Sequence, residues 1–264
     1  MFHTNDNRRP LAAIMVMLFV LCTPVVSWSV TAKEILEQAA KQSLGESFRA
    51  VLTIKSYKNK RLTAKHVLWL MGTMEGETGK FFLDFDEPEE SKGLRFLLVV
   101  SKGSPLKAFM FLPATKRTIP LAADDPSVDL GGTGLTVDDL RVFSPKGGEK
   151  ESIVGEEKLD GRECYKIKVL TPETRAERLI WVSKKDLLVL KTANVNAKGT
   201  MDRTMKVTEF FKTAKGKEFP REEEIVIPER KITIRVRQDN AVFGVAIPEE
   251  LLNPKTFGTY KWRP

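Results

Sequence analysis

The stretch Lys107-Ala-Phe-Met-Phe-Leu-Pro-Ala-Thr-Lys-Arg-Thr118 decides how this chain folds. Phe109, Met110, Phe111 and Leu112 are consecutive, so large apolar side chains fall on both parities of a short run. Pro113 stops the run, and Lys116 and Arg117 follow at once. A strand with one solvated face alternates apolar and polar residues, whereas a strand covered on both faces does not. Two preceding runs share the property: Phe81-Phe-Leu-Asp-Phe85 and Leu94-Arg-Phe-Leu-Leu-Val-Val100 are also apolar on both parities. Later runs alternate better, and Thr204-Met-Lys-Val-Thr-Glu-Phe-Phe211 and Ile232-Thr-Ile-Arg-Val236 keep a polar face. One region of a sheet therefore needs cover on both sides. The expected suppliers are a helix at 32–44 and the polar segment 122–148.

Outward from that stretch the chain reads as one helix followed by strands. Thr31-Ala-Lys-Glu34 has the pattern of a capping box. Ile35, Leu36, Ala39, Ala40 and Leu44 then recur at helical spacing, and Gly45 ends the helix. Strand-like runs follow with turn signals about every 12 residues, the pattern of an antiparallel sandwich or barrel. Asp160-Gly161 between Ser152–Leu159 and Arg162–Leu170 is a hairpin signal. Within the segment 122–148, rich in Asp, Gly and Ser, Thr136 can cap a short helix running to Val142. Residues 247–253 read as a helical turn that starts at Pro248. Residues 258–264, aromatic and basic, read as a frayed tail. About eleven strands are expected; a barrel of roughly eight can be filled by side chains, and a larger sheet curls round interior space or splits.

The start of the chain bears on the compartment. Arg8 and Arg9 precede an uncharged apolar run from Leu11 to Val26, and small residues follow at Ser27, Ser29 and Ala32. This is the pattern of a secretory signal peptide, residues 1–32, with cleavage expected near 29–32. The apolar run, about 16 residues, is short for a membrane span of roughly 20. Leu21 before Cys22 is not the small residue that lipid attachment at that cysteine requires. Residues 33–257 are expected to form a single domain.

The 264-residue chain has a formal net charge of +8, with acids and bases interspersed. Export argues against a nucleic-acid partner, and the basic turns at Lys58–Arg61 and Lys184–Lys185 read as solvated. Only Cys164 and His66 remain beyond the leader, so a Cys/His zinc cluster, which needs about four ligands, is excluded. Both lie in strand-like runs and read as buried structural residues. Asp124, Asp125, Asp129, Asp138 and Asp139 do not have the spacing of a calcium-binding helix-loop-helix motif and read as a solvated acidic loop. No cofactor or metal is expected, and no enzymatic activity.

Several motifs in order resemble those of a known family. Phe85-Asp-Glu-Pro-Glu-Glu-Ser-Lys-Gly93 is followed by Phe109-Met-Phe-Leu-Pro-Ala-Thr-Lys-Arg117 and by Leu135-Thr-Val-Asp-Asp-Leu140. The Asp-Gly hairpin and Ile180-Trp-Val-Ser-Lys-Lys-Asp186 come next. This order resembles the outer-membrane lipoprotein-sorting family, in the LolA/LolB/RseB-like superfamily, over about residues 32 to 257. The sequence departs from the family pattern in places. Met71 to Phe85 lacks the arginine of an Arg-Pro pair, Phe109-Met-Phe111 replaces Trp-x-Tyr, and Leu130-Gly-Gly-Thr-Gly134 replaces Met-Gly-Ser-Asp.

The resemblance implies a mainly β (α+β) fold. It would be an incomplete antiparallel β-barrel with the N-terminal helix and short helical segments closing the open side. It implies a periplasmic carrier or chaperone that binds lipid or lipoprotein acyl chains in a hydrophobic cavity. An inner-membrane transporter or outer-membrane acceptor would be its partner. The RseB-like branch implies instead a module that binds an envelope protein or senses lipid. Leu36, Leu68, Leu70, Phe82 and Phe96 are expected at the cavity or its lid. Leu98, Phe109, Phe111 and Trp181 are expected there too. By pattern alone, a dry sandwich core fits the same strands.

Overall fold

The computed structural model describes residues 1, 30–44, 47–76, 78–101, 104–122, 128–137, 139, 148–213 and 216–262. The proposed leader and much of the acidic loop, including Asp124, Asp125, Asp138 and the end of its short helix, lie outside the described residues. Helix α1 spans Ala32–Leu44. Its start is the reciprocal cap expected from sequence: the Thr31 backbone N–H donates to Glu34 Oε2 (2.8 Å) and the Glu34 N–H donates to Thr31 Oγ1 (3.2 Å). Those bonds hold the Glu34 carboxyl below its ordinary range.

Thirteen strands follow: β1 (Phe48–Lys58), β2 (Arg61–Glu75), β3 (Thr78–Glu87), β4 (Arg95–Ser101), β5 (Lys107–Leu112), β6 (Arg117–Leu121), β7 (Lys150–Leu159), β8 (Arg162–Thr171), β9 (Ala176–Ser183), β10 (Val189–Val195), β11 (Met201–Lys212), β12 (Glu218–Ile227) and β13 (Ile232–Phe243). They form one antiparallel sheet in the order β6-β5-β4-β3-β2-β1-β13-β12-β11-β10-β9-β8-β7. The first and second halves join where β1 pairs with β13. The sheet does not close, because β6 and β7 are its two edges. The fold is thus a mainly β, incomplete antiparallel barrel with an N-terminal helix, as the sequence suggested. Thirteen strands rather than about eleven build it, with β6 and β7 at the edges.

The curl brings distant strands together on the inner face. Leu52, Leu68, Phe85, Phe96 and Leu98 from the first half pack in one cluster with Ile225 and Ile234 from the second. Residues 128–137 enter this interior as a plug. Its own turn is tied by Leu130 N–H to Leu135 O (2.8 Å) and Val137 N–H to Val128 O (3.1 Å). Leu130, Thr133 and Val137 are buried. Gly131, at φ +69°, lies where a Cβ would come within 2.9 Å of Phe85, and a Cβ on Gly134 would come within 2.8 Å of Ile234. Glycine lets the plug touch both halves of the sheet. Ser56 on β1 donates to Thr133 O (2.7 Å) and fixes its depth. Helix α1 lays Ala32, Ile35, Leu36 and Ala39 on Ile167, Val169, Ile180 and Val182, and so covers the inner face of β8 and β9.

The second face of Lys107–Leu112 has a different cover from those expected. Register aligns Met71, Phe82, Leu97 and Phe109 in one outer row across β2–β5, and Trp69, Asp84, Arg95 and Phe111 in the next. Over these rows lie Leu251, Leu252 and Phe257, with Tyr260 and Trp262 beside them. The 3-10 turn Glu249–Leu252 begins after Pro248, as its sequence predicts. Residues 258–262, expected to fray, are instead docked. The Trp262 indole N–H donates to Asp84 Oδ2 (2.8 Å), and Trp262 meets Phe82 and Trp69 edge-on at 5.7 and 5.8 Å. Arg95 lies 3.2 Å from the same carboxylate oxygen. Its Nη1 donates to the carbonyls of Phe257, Gly258 and Tyr260 at 2.9–3.0 Å. Aromatic area and a buried charge-assisted network outweigh the entropy of ordering a short terminus.

Gly258 passes so close to the Phe111 ring that an added Cβ would lie 2.2 Å from it. Gly258→Ala is expected to destabilise the protein by about 1–3 kcal/mol, the usual cost of overpacking, measured as a lower urea midpoint. Trp262→Phe keeps an aromatic ring at the edge-on contacts and removes one donor to a buried carboxylate, with an expected loss of about 1–3 kcal/mol. Unchanged midpoints in both variants would show that the terminus does not dock.

Candidate functional site: an apolar cavity inside the open barrel

Inside the curl, beside the plug, lies a cavity of about 250 Å3. Leu52, Leu70, Leu83 and Leu98 of β1–β4 face Val189, Met205, Ile225 and Val236 of β10–β13 across it, and Leu130 and Leu135 of the plug complete the wall. One end is aromatic by register. Phe81 pairs with Gly72, Gly72 with Phe48, and Phe48 with Phe243, so these residues form a row from β3 to β13. Phe219 of β12 stacks on Phe243 with ring centroids 4.4 Å apart. Gly72 is needed in that row, since a Cβ there would lie 2.5 Å from the Phe48 ring. The absent side chain is the space that Phe48 and Phe81 fill.

Strand β12 shows how charge enters an apolar wall. Phe219, Arg221, Glu223 and Ile225 line the cavity. Glu222 and Glu224 point to the outer face, where they pair with Arg237 (3.3 Å) and Arg235 (3.0 Å). That outer ladder of acids and bases explains the polar parity of β12 and β13.

Asp139, Arg221 and Glu223 are the charged residues among those lining the cavity. Asp139 is held by Arg203, whose Nε and Nη2 each donate to it at 2.6 Å, and by the Thr136 N–H (2.7 Å). Arg221 reaches Asp239 (3.3 Å) and Glu209 (3.6 Å). Glu223 has no hydrogen-bond or ion-pair partner among the described residues. Its residual exposure fits its place on the wall, where the open surface faces the cavity. Burial, with the negative charge of Asp139 as the second cause, pushes the Glu223 carboxyl up to about 7. An isolated carboxylate in such surroundings takes a proton rather than remain charged.

Among the sequence-predicted site residues, Leu70 and Leu98 line the cavity. Leu68 and Phe96 lie in the same inner core. Leu36 lies on the buried face of α1, packed against β8 and β9. Phe82, Phe109 and Phe111 lie on the opposite face, beneath the C-terminal segment. Trp181 is also outward, between Lys166 and Lys191, with its indole N–H donating to Glu157 (2.9 Å). The structure thus divides these residues between two faces. Sequence reasoning did not single out Phe48, Phe219, Met205 or Glu223. The signal for Glu223 was there, since alternation back from Ile225 puts it on the inner face; its position amid three consecutive acids hid it.

The two residues with intrinsic reactivity lie apart from the cavity lining. Cys164 is buried and free, and burial pushes its thiol up. His66 is buried edge-on to Phe85, and burial lowers its pKa. No group of His, Cys, Asp and Glu among the described residues is arranged to hold a metal. What the wall offers a ligand is mostly apolar area, the polar side chains of Thr136, Thr192 and Gln238, and one acid without a partner among the described residues.

The Glu223 shift has a stability sign. Its folded value lies above the ordinary 4.5, so between about 4.5 and 7 the folded chain holds a proton that the unfolded chain has released. The contribution of Glu223 to stability falls as pH rises through that window and is flat above it. His66, lowered by burial, gives the opposite slope below 6.5. The difference between wild type and Glu223→Gln isolates the acid. The variant is expected to gain stability relative to wild type as pH rises from 4 to 8, by up to about 3 kcal/mol. A pH-independent difference in urea unfolding would place the carboxyl in water.

A family model described as uncharacterized protein-like matches residues 77–258, more than half of the chain. No functionally curated protein matches. Among solved structures, an outer membrane lipoprotein-sorting protein domain from Vibrio parahaemolyticus superposes with TM-score 0.75 at 16% identity, covering 85% of this chain and 97% of that one. A DUF1329 family protein from Desulfovibrio piger gives 0.72 at 14%, covering 85% and 98%. A LolA superfamily protein from Nitrosomonas europaea gives 0.62 at 15%, also covering 85% and 98%. The fold is that of the outer membrane lipoprotein-sorting and LolA superfamily proteins. The chain belongs to the family whose model matches residues 77–258.

Proposed function

We propose that this family member is a periplasmic carrier that binds lipid or lipoprotein acyl chains in the cavity, without catalysis, and hands them towards the outer membrane. The observation that carries the reading is the cavity of about 250 Å3, walled by Leu, Val, Phe and Met from both halves of the sheet. Each methylene moved from water into such a wall contributes about 0.8 kcal/mol, so a chain of several methylenes is held without any directional contact. The volume is just below the range of roughly 300–1,000 Å3 typical of ligand pockets. It takes one chain segment as it stands, and a whole acyl group enters by displacing the plug or α1. The fold shared with lipoprotein-sorting proteins supports this reading. No helix among the described residues is long and apolar enough to cross a membrane.

A second reading, a module that binds an envelope protein, has one observation in its favour. Edge strand β7 exposes Ile153 (39%) and Val154 (47%) beside its unpaired backbone edge, and such an edge can accept a strand from a partner. One stoichiometric protein partner in a pull-down, with no lipid bound, would favour it.

The carrier reading is tested by displacement of a fluorescent acyl probe. Wild type is expected to bind it, and Val236→Trp, which fills the cavity from β13, is expected to lose at least about tenfold in affinity (about 1.4 kcal/mol). Trp262→Phe, on the other face, is expected to bind as wild type does under conditions where it is folded. Equal binding by Val236→Trp with an unchanged melting curve would move the ligand elsewhere.

A further inference from the structure

The cavity lining is mostly apolar, and Thr136, Asp139, Thr192, Arg221, Glu223 and Gln238 are the polar residues that share it. An acid that faces an apolar space without a partner costs stability unless something else satisfies it. Asp139 is committed to Arg203 and Thr136, and Arg221 to Asp239 and Glu209. Around Glu223, the adjacent residues Val207 on β11 and Val236 on β13 are uncharged, and Ile225 follows it along β12. The charged groups that share the lining are therefore Asp139 just beyond the plug, with Arg203 of β11 behind it, and Arg221 of β12. The acid nearest in effect is Asp139.

We propose that Glu223 reads the polar head of the ligand: the cavity takes acyl ligands with an uncharged ester or amide carbonyl, and Glu223 donates a hydrogen bond to it. The inference rests on the carrier reading and names the ligand class. A protonated carboxyl has one O–H to donate, and an ester or amide carbonyl accepts it without bringing charge into the cavity. A free fatty-acid carboxylate would lie beside Asp139 and a second acid, both arginines already being engaged. An alkylammonium head would require Glu223 to be ionised. Since burial pushes this carboxyl up to about 7, it donates at pH 6 and has lost most of that capacity at pH 8. Binding of an ester-headed ligand weakens as pH rises through that value, whereas Glu223→Gln, whose amide N–H donates at every pH, does not follow it.

The test measures the affinity of three probes of equal chain length, a monoacylglycerol, a fatty acid and an alkylamine, for wild type and Glu223→Gln at pH 6 and 8. Wild type is expected to bind the monoacylglycerol best at pH 6 and about tenfold more weakly at pH 8, the change in its protonated fraction. Glu223→Gln is expected to bind it equally at both. Monoacylglycerol binding by wild type that is the same at both pH values overturns the inference and leaves the carrier reading in place. So does alkylamine binding that strengthens at pH 8 and exceeds monoacylglycerol binding at pH 6. No uptake of any probe by folded wild type at either pH overturns the carrier reading itself.

Discussion

A buried carboxylate on β3 organises this molecule. Asp84 is fully buried, lies 3.2 Å from Arg95 Nε and accepts from the Trp262 indole. Arg95 in turn gathers three carbonyls of the C-terminal turn on one nitrogen. A buried pair of this kind adds little net stability over an apolar substitute, but removing one partner costs roughly 3–5 kcal/mol. Its consequence is specificity. It admits a terminus that supplies three backbone acceptors and one indole donor, and so fixes which segment covers the outer face of β2–β5. With Leu251, Leu252 and Phe257 pinned over Phe82, Leu97 and Phe111, the outer demand of these strands is met locally. Their inner face is left to the plug and the cavity.

The two halves of the sheet solve the same burial problem differently. In β2–β5 both faces are apolar and both are covered. In β11–β13 the outer face is a lattice of ion pairs, among them Arg237 with Glu209 and Glu222 and Arg235 with Glu224. These exposed pairs contribute little individually and let that half face water unaided. The cavity forms where the halves meet across the curl. Its wall depends on close approaches that admit no side chain: Gly72 between Phe48 and Phe81, and Gly134 against Ile234. The plug is anchored by Ser56, Arg203 and its own glycines, so motion there is coupled to the cavity volume.

Much of the fold was legible because its signals are local. The Thr31–Glu34 cap, the Asp160–Gly161 turn and the two-sided run at 107–112 each declare themselves within a few residues, and each has its counterpart in the structure. The identity of the cover was not legible. Trp262 and Asp84 are separated by 178 positions, and nothing near either names the other. Face was also hidden. Phe81 and Phe82 are neighbours of the same type, yet one lines the cavity and the other lies under the C-terminal segment. Where both parities are apolar, alternation carries no information about inside and outside. Glu223 was masked by its two neighbours, which are surface acids with partners of their own.

The central claim is that the inner face holds a ligand space rather than a dry core. Native mass spectrometry of the protein, purified gently from a periplasmic extract and followed by lipid extraction, tests it most directly. The cavity assignment predicts a discrete added mass that resolves to an acyl lipid with an uncharged ester or amide head. A bare protein mass, with no uptake when acyl lipid or lipopeptide is supplied, would contradict it and leave a packed interior behind Lys107–Thr118.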